Sequence, residues 1–280
     1  MQANRKTHAI QMMCAYFKVS RSGFYAWQGR DPSSRQLRDE GLIEQVKRIH
    51  ADSRGGYGSP CVQHALAQQG TAVSRGTVAR VMCRARLQGR SARLYRRSRV
   101  GQTAFFTSIP ITVRAIQPAR INQVRAGDVT YLRVSGQWRD LAAVMDKFSR
   151  RIIGWSLSRN RDAALTLDAV NHALRNRKPE SDLHFPSDRG IEYAAFAYRQ
   201  KLLQRGIVQG MNRPGKMNDN AHMESFFHSM KTEELYGQTF TSDDDLHKAL
   251  LSYFQFCNQQ RLHSSIGYRS PAVFEKSLCS

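Results

Sequence analysis

The sequence predicts an α/β domain behind an all-α N-terminal region, and three observations carry that reading. Apolar residues at helical spacing, broken by glycine turns, fill residues 7–87. Three strand-like runs separated by tight turns begin at Arg125. From Asp162 onward, helical and short strand patterns alternate. The chain has 280 residues, enough for one large domain or two to three small ones, and 41% hydrophobic residues support a true core.

Residues 7–27 read as a small helix-turn-helix. Ile10, Met13, Cys14 and Phe17 fall at helical spacing over His8–Phe17, Lys18-Val19 turns the chain, and Ser20 caps a second helix ending near Trp27. Such a hairpin serves structure as readily as binding. Residues 36–87 repeat the theme. Leu42, Ile43, Val46 and Ile49 form one stripe, Gly55-Gly56-Tyr57-Gly58 breaks the helix, a second helix runs from about Pro60 to Gln69, and Gly70 stops it. Ser74 caps a third helix with Val78, Val81 and Met82 inward and Arg75, Arg80 and Arg84 outward. A helix, a glycine turn and an arginine-studded helix suit the reading of a DNA major groove; a plain three-helix bundle is the alternative. Residues 88–120, arginine-rich with Pro110 and Pro118, read as a linker able to track a DNA backbone.

Arg125–Val134, Gln137–Asp146 and Arg151–Leu157 are the three strands, an antiparallel meander whose first turn is Ser135-Gly136. A helix over Asp162–Asn176 follows. Then come a strand at Asp182–Phe185, one helix over Glu192–Arg205, a strand at Ile207-Val208 and a helix carrying Glu224. The tail begins with Asp243-Asp244-Asp245, acids that suit a helix N-terminus, and continues with the aromatic run Tyr253-Phe254-Gln255-Phe256. Three strands, helix, strand, helix, strand, helix is the element order of a ribonuclease-H-like fold. The expected segments are a small helix-turn-helix over 1–35, a DNA-binding helix-turn-helix over 36–90, a basic linker over 91–120, the α/β core over 121–238 and a helical extension over 239–280.

The net charge of +21 is unevenly placed. Residues 1–118 carry 20 Lys/Arg against 5 Asp/Glu, whereas residues 119–280 carry 23 against 17. The sharpest cluster includes Arg84, Arg86, Arg90, Arg93, Arg96, Arg97 and Arg99, with no acid among them. Basic surface gains affinity for a polyanion by displacing counterions from phosphates, so nucleic acid is the natural partner. A membrane partner fits less well, because few large apolar residues accompany the cluster. No apolar run approaches the roughly 20 residues that span a bilayer, and His8 and Gln11 interrupt any signal-peptide core. A soluble, cytoplasmic, nucleoid-associated protein is expected. The five cysteines, Cys14, Cys61, Cys83, Cys257 and Cys279, form no C-x-x-C pair and read as reduced, mostly buried thiols.

Three acids stand out. Asp128 lies in the first strand, with Thr130, Leu132 and Val134 on its side of the pleat. Asp188 lies just past the fourth strand, where α/β sheets usually place ligands. Glu224 lies on a helix whose stripe of Met223, Phe226, Phe227 and Met230 faces the core, with His228 and Lys231 along the same edge as the acid. Carboxylates are the ligands hard divalent cations prefer, and paired ions are a common device for cutting and joining phosphodiesters. Spacing alone leaves rivals: Asp140 and Asp146 are also strand acids, while Asp162 and Glu192 suit helix N-termini. Zinc chemistry is a poor fit, since His222 and His228 are six positions apart.

Local motifs separate the candidates. Val19-Ser20-Arg21-Ser22-Gly23-Phe24-Tyr25, Tyr57-Gly58, Asp128-Val129-Thr130-Tyr131-Leu132 and the run from Asp146 to Trp155 belong to one set. Ser187-Asp188-Arg189-Gly190, Asp219-Asn220-Ala221, Glu224-Ser225-Phe226-Phe227, Lys231 and the run from Asn258 to Tyr268 complete it. Over nearly its whole length the chain closely resembles the OrfB-type transposases of the insertion-sequence IS-three family, relatives of retroviral integrases. It departs from them at Arg125, where the family usually has Trp, and at Pro186, where it usually has His. It departs again at Asp140 for a common aromatic, and at Gly210-Met211-Asn212 for Ser-Met-Ser.

The resemblance implies an integrase-type core in which Asp128, Asp188 and Glu224 form the DDE triad and hold two Mg²⁺ ions, with Mn²⁺ as an alternative. It implies that Lys231 is the family's basic position and contacts DNA. Arg75, Arg80 and Arg84, with Arg93, Arg96 and Arg97 in the linker, are the further expected DNA contacts. The implied activity is DNA cleavage and strand transfer at terminal inverted repeats. The implied partners are element ends and target DNA, a homo-oligomer on that DNA, and an upstream-frame helix-turn-helix and coiled-coil protein as fusion or partner. The alternatives are a non-catalytic, repressor-like relative and a simple ribonuclease-H-like nuclease.

Overall fold

The computed structural model describes residues 1, 4, 7–31, 34–90, 116–178, 182–187, 190–211 and 220–278. Two short helices, α1 (Ile10–Tyr16) and α2 (Arg21–Gln28), open the chain; Ser20 caps α2 by accepting from the Gly23 amide at 3.0 Å. A three-helix unit follows: α3 (Ser34–Asp52), α4 (Ser59–Gln68) and α5 (Arg75–Arg84). The apolar stripes meet in one core containing Leu42, Val46, Ile49, Val62, Leu66, Val78, Val81 and Met82. Ser74 caps α5 through the Thr77 amide at 3.2 Å, as its sequence position predicts. The linker falls mostly at residues 91–115, outside the described residues.

The α/β part begins with β1 (Arg125–Val134), β2 (Gln137–Asp146) and β3 (Ile152–Ser158), paired antiparallel in that order. Ser135 and Gly136 both take positive φ, 45° and 82°, the geometry that joins two strands by a two-residue turn. Helix α6 (Ala163–Asn176) starts on Asp162, whose carboxylate accepts from the Leu165 amide at 3.0 Å. Then come β4 (His184–Ser187), α7 (Ile191–Ala194), α8 (Phe196–Gln204) and β5 (Val208–Met211), with β4 and β5 parallel. A parallel bridge between Val124 and His184 sets β4 beside β1, so the strands lie in the order 3-2-1-4-5. The single helix expected over Glu192–Arg205 is two, because Ala195 leaves the helical region at ψ 138°.

Each face of the sheet carries its own core. Val129, Val144, Ile153 and Phe185 pack under α6 and α8. Ala126, Leu132, Leu141 and Ala143 point the other way, under α9 (Ala221–Met230) and α10 (Asp243–Gln259). Helix α9 runs on into a π-helical turn, Lys231–Leu235. Ser242 caps α10, and the three aspartates fill its first turn. A short α11 (Pro271–Lys276) closes the chain, held to the sheet by Glu275, which pairs with Arg151 at 2.6 Å and Arg177 at 2.8 Å. Among the described residues Cys14, Cys61, Cys83 and Cys257 are free thiols; Cys14 and Cys257 are buried, but Cys83 is exposed, and Cys279 lies outside the described residues.

The three-helix unit docks on the π turn and the tail. Arg54 donates to Glu234 at 2.6 Å and to the Ser252 hydroxyl at 2.8 Å. Arg90 reaches the Glu233 carbonyl, and the Leu262 amide donates to the Tyr57 hydroxyl at 2.7 Å. His64 stacks on Tyr268 at 3.7 Å between centroids. Among the described residues, no helix is long and apolar enough to cross a membrane.

Two glycines make opposite predictions. A Cβ on Gly154 would fall on the Ala169 carbonyl and against Ala173, where α6 crosses β3. Gly154→Ala is expected to lower unfolding free energy by about 1–3 kcal/mol, through overpacking against backbone. Gly41 lies inside α3 with open space around its Cα, so Gly41→Ala should raise stability by about 1 kcal/mol. Urea denaturation of both variants checks the pair.

Candidate active site

Asp128 sits in the middle of β1, half-buried, on the pleat face shared by Ala126 and Leu132. Its Oδ1 accepts from the Val129 amide at 2.9 Å. Helix α9 packs on that same face through Met223, Phe226, Phe227 and Met230, all buried as the spacing predicts. Its N-cap, Asn220, donates to the carbonyl of Gly127 at 3.4 Å, next to Asp128. Glu224 stands one turn further along, about 6 Å up the axis, half-buried at the helix edge. Strand and helix therefore carry two of the three predicted acids to one face.

Lys231 opens the π turn rather than closing a regular helix. Burial lowers its pKa from the usual lysine range, and the field of Asp128 opposes that drop. Its ammonium lies 4.5 Å from the centre of the Tyr131 ring. The basic position predicted beside the acids is thus in electrostatic contact with Asp128. The side chain of Asp188 lies outside the described residues. The strand leading to it starts beside β1, through the parallel bridge between Val124 and His184.

The rival acids have other work. Asp146 is fully buried and accepts from the amides of Asn122, Phe148 and Ser149 at 2.7, 2.9 and 3.1 Å, which holds the β2–β3 turn. Asp162 is the α6 cap. Glu192 is buried and pairs with Arg161 at 2.8 Å. Asp140 faces that pair; burial raises its carboxyl pKa, with Arg161 and Glu192 pulling in opposite directions.

A basic flank that the sequence does not announce lies at the start of α9. Burial, then the fields of Arg150 and Lys147, lowers His222 to about 4. Burial, Arg261 and Arg150 lower His263 to about 3. These groups come from the β2–β3 turn, α9 and the segment after α10, so only the folded chain assembles them. Arg75, Arg80 and Arg84 are exposed on α5, as expected for a DNA-facing helix, while Arg93, Arg96 and Arg97 lie outside the described residues.

Among the described residues, no three His, Cys, Asp or Glu side chains form a metal-binding group. Asp128 and Glu224 supply carboxylate oxygen on one face of the sheet. That donor type fits Mg²⁺ and not a thiolate or imidazole metal.

Comparison with known proteins finds family matches along most of the chain. Two family models described as Integrase core domain match residues 118–217 and 205–271, and one described as HTH-like domain matches residues 36–95. The uncharacterized 31 kDa protein of insertion element IS600 from Shigella sonnei is 34% identical over 265 residues, covering 94% of this chain and 97% of that protein. Transposase InsF for insertion sequence IS3A from Escherichia coli (strain K12) is 33% identical over 283 residues, covering 98% and 96%. A chain of the simian T-cell lymphotropic virus intasome, solved in complex with PP2A regulatory subunit B56 gamma, matches with a TM-score of 0.50. It is 16% identical, and the match covers 82% of this chain and 74% of that one; it is a likeness of fold.

The depressed histidine gives a pH prediction. His263 stays neutral in the fold down to about 3, whereas an unfolded histidine takes up its proton near 6.5. Between those values the unfolded chain binds the extra proton, so this stability is present above about 6.5 and is lost as pH falls, by up to about 1.4 kcal/mol per pH unit. The urea midpoint of the wild type should therefore drop more steeply from pH 7 to pH 4.5 than that of His263→Gln.

Proposed function

We propose, for a chain that belongs to the IS3 family of insertion-sequence transposases and is therefore a polynucleotidyl transferase, that it cuts and rejoins DNA at the ends of a mobile element. Asp128, Asp188 and Glu224 are the working carboxylates. The observation that carries this reading is the shared face of Asp128 on β1 and Glu224 on α9, with Lys231 in the field of Asp128.

Asp128, Asp188 and Glu224 would hold Mg²⁺, as two ions with Mn²⁺ as an alternative. Bound there, the metal supplies the positive charge that activates the attacking oxygen and stabilises the leaving one. The rest is done by the chain's own groups. Asp128 is fixed on a central strand and Glu224 on a helix locked by its buried stripe, so neither acid needs to reorganise. Lys231 is held close to Asp128 and meets a phosphate oxygen of the strand being cut. The attacking group is a water in cleavage and a DNA 3′-hydroxyl in transfer, so no bond between protein and DNA is needed. The arginine face of α5 and the basic segment 91–120 hold the element end through its phosphates and grooves. The working form is a homo-oligomer on DNA, with an upstream-frame helix-turn-helix protein as partner or fusion.

Strand transfer from a pre-cleaved, labelled 3′-hydroxyl end tests the reading. The wild type should join that end to target DNA with Mg²⁺. Asp188→Asn and Glu224→Gln should each lose about a thousandfold or more of joining while still retarding end DNA in a gel. Metal-dependent joining that survives in Asp188→Asn would sink the assignment. Cut but unjoined products would mark a simple nuclease, and tight binding without either product a repressor-like relative.

A further inference from the structure

Beside Lys231 the structure leaves large aromatic side chains in solvent. Tyr131 is 48% exposed, Trp138 57% and Tyr236 57%. Tyr131 and Trp138 come from the paired strands β1 and β2 and meet edge to face, 5.2 Å between centroids at 87°. Each carries a cation on its ring. The Lys231 ammonium lies 4.5 Å from the Tyr131 centroid, and the Arg133 guanidinium 5.6 Å from that of Trp138. All five residues line one cleft of about 450 Å³, and no carboxylate is among its lining residues. Clefts that hold small organic groups run to roughly 300–1,000 Å³.

This combination differs from an ordinary half-buried sheet surface. Exposed aromatic faces give up stacking area to water, and cations held over them keep acidic peptide partners as well as DNA within reach. The charge of the chain, +21, favours DNA. The position favours a particular part of it. Lys231 is shared between the cleft and Asp128, so whatever enters the cleft is attached to the strand presented to the acids.

We propose that the cleft takes one unstacked nucleobase of the DNA strand led to Asp128, held against Tyr131 and Trp138, with Arg133 and Lys231 on the adjoining phosphates. Every base has a π face, so such a platform grips a strand without reading its sequence. Extruding a base also costs unpairing energy, least at a frayed or broken end, and the cleft thereby favours ends over continuous duplex. The inference rests on the DNA-cutting assignment for the direction of the strand, although base binding itself can be read without any cutting.

Two measurements on the full-length chain test it. In the first, a short single-stranded thymidine oligonucleotide is titrated without metal while tryptophan emission is followed. Trp138→Phe identifies the Trp138 signal against Trp27 and Trp155. The oligonucleotide should quench Trp138, and by anisotropy of a labelled oligonucleotide Trp138→Ala or Tyr131→Ala should weaken binding roughly tenfold, with Trp138→Phe and Tyr131→Phe retaining most of it. Both side chains are about half exposed or more, so the variants should melt like the wild type, which circular dichroism checks. In the second, single abasic positions are placed along the pre-cleaved end. At one position the abasic end should remove the difference in joining rate between wild type and Trp138→Ala.

Unchanged Trp138 emission on adding the oligonucleotide overturns the proposal, as does wild-type binding by both alanine variants. An emission change that follows protein concentration instead of DNA also overturns it, and marks the cleft as a contact between copies of the chain. Trp138-dependent binding by a wild type that joins no DNA upholds the base site and counts against the strand-transfer reading alone.

Discussion

Glu233 is the carboxylate on which the arrangement of the chain depends. It lies in the π turn that continues the Glu224 helix, and it is 8% exposed. Tyr253 of α10 donates to it at 2.8 Å, and Arg261 at 2.8 and 2.5 Å. Gly56 of the three-helix unit packs against its side chain, and Arg90 bonds its carbonyl. One buried acid thus joins three parts of the sequence that lie far apart. Burial alone would disfavour the charge on Arg261, but the hydrogen bonds and field of Glu233 outweigh it and hold the guanidinium charged. Burial also pushes the neighbouring Tyr57 and Cys257 up to about 12, so these neighbours stay neutral. An ion pair in such a place is costly to break, because the remaining charge has no water to turn to. The same five-residue turn that begins with Lys231 at the acids therefore ends fixed to the helical unit.

Much of this was readable in the residues, and the reason is locality. Strand-like runs on both sides of a Ser-Gly turn give Arg125–Val134 and Gln137–Asp146 to the residue, because that turn fixes their register. Serines at 20 and 74 mark helix starts by a bond to an amide three positions on. The Met223–Met230 stripe names the buried side of its helix, and so the rim on which Glu224 sits. What escaped has no local signal. Ala195 interrupts a helix although alanine is the best helix former, so tertiary packing of α7 and α8 overrides propensity there. The Glu233 network and the basic flank join residues that lie far apart in the sequence. The Tyr131–Trp138 pair could have been found, since the turn sets Trp138 opposite Arg133 and diagonal to Tyr131.

The departures from the family pattern at Arg125, Pro186 and Asp140 each have a place in the described structure. Arg125, where the family usually has an aromatic, is 1% exposed. Its guanidinium donates to the Asn122 side chain at 3.3 Å and to the carbonyls of Arg177 and Lys178 at 3.1 and 3.4 Å. A buried cation thus replaces a buried ring by borrowing the end of α6. Pro186 lies in β4, where the described ladder with β5 continues through it, paired to Gly210. Asp140 lies between Arg161 and Glu192, on the opposite face of the sheet from α9.

The packing of α10 has a consequence for how the protein is made. Met223, Phe226, Phe227 and Met230 share one core with Leu246, Leu250, Tyr253 and Phe254, which leave the ribosome after them. A nascent chain that has reached Met230 already contains Asp128, Asp188 and Glu224. It lacks the apolar cover that holds the Glu224 helix on the sheet, and the Arg261 that neutralises Glu233. Synthesis itself thus acts as a timer, and a chain stopped before Asp243 ends with its acids present and their scaffold unclosed.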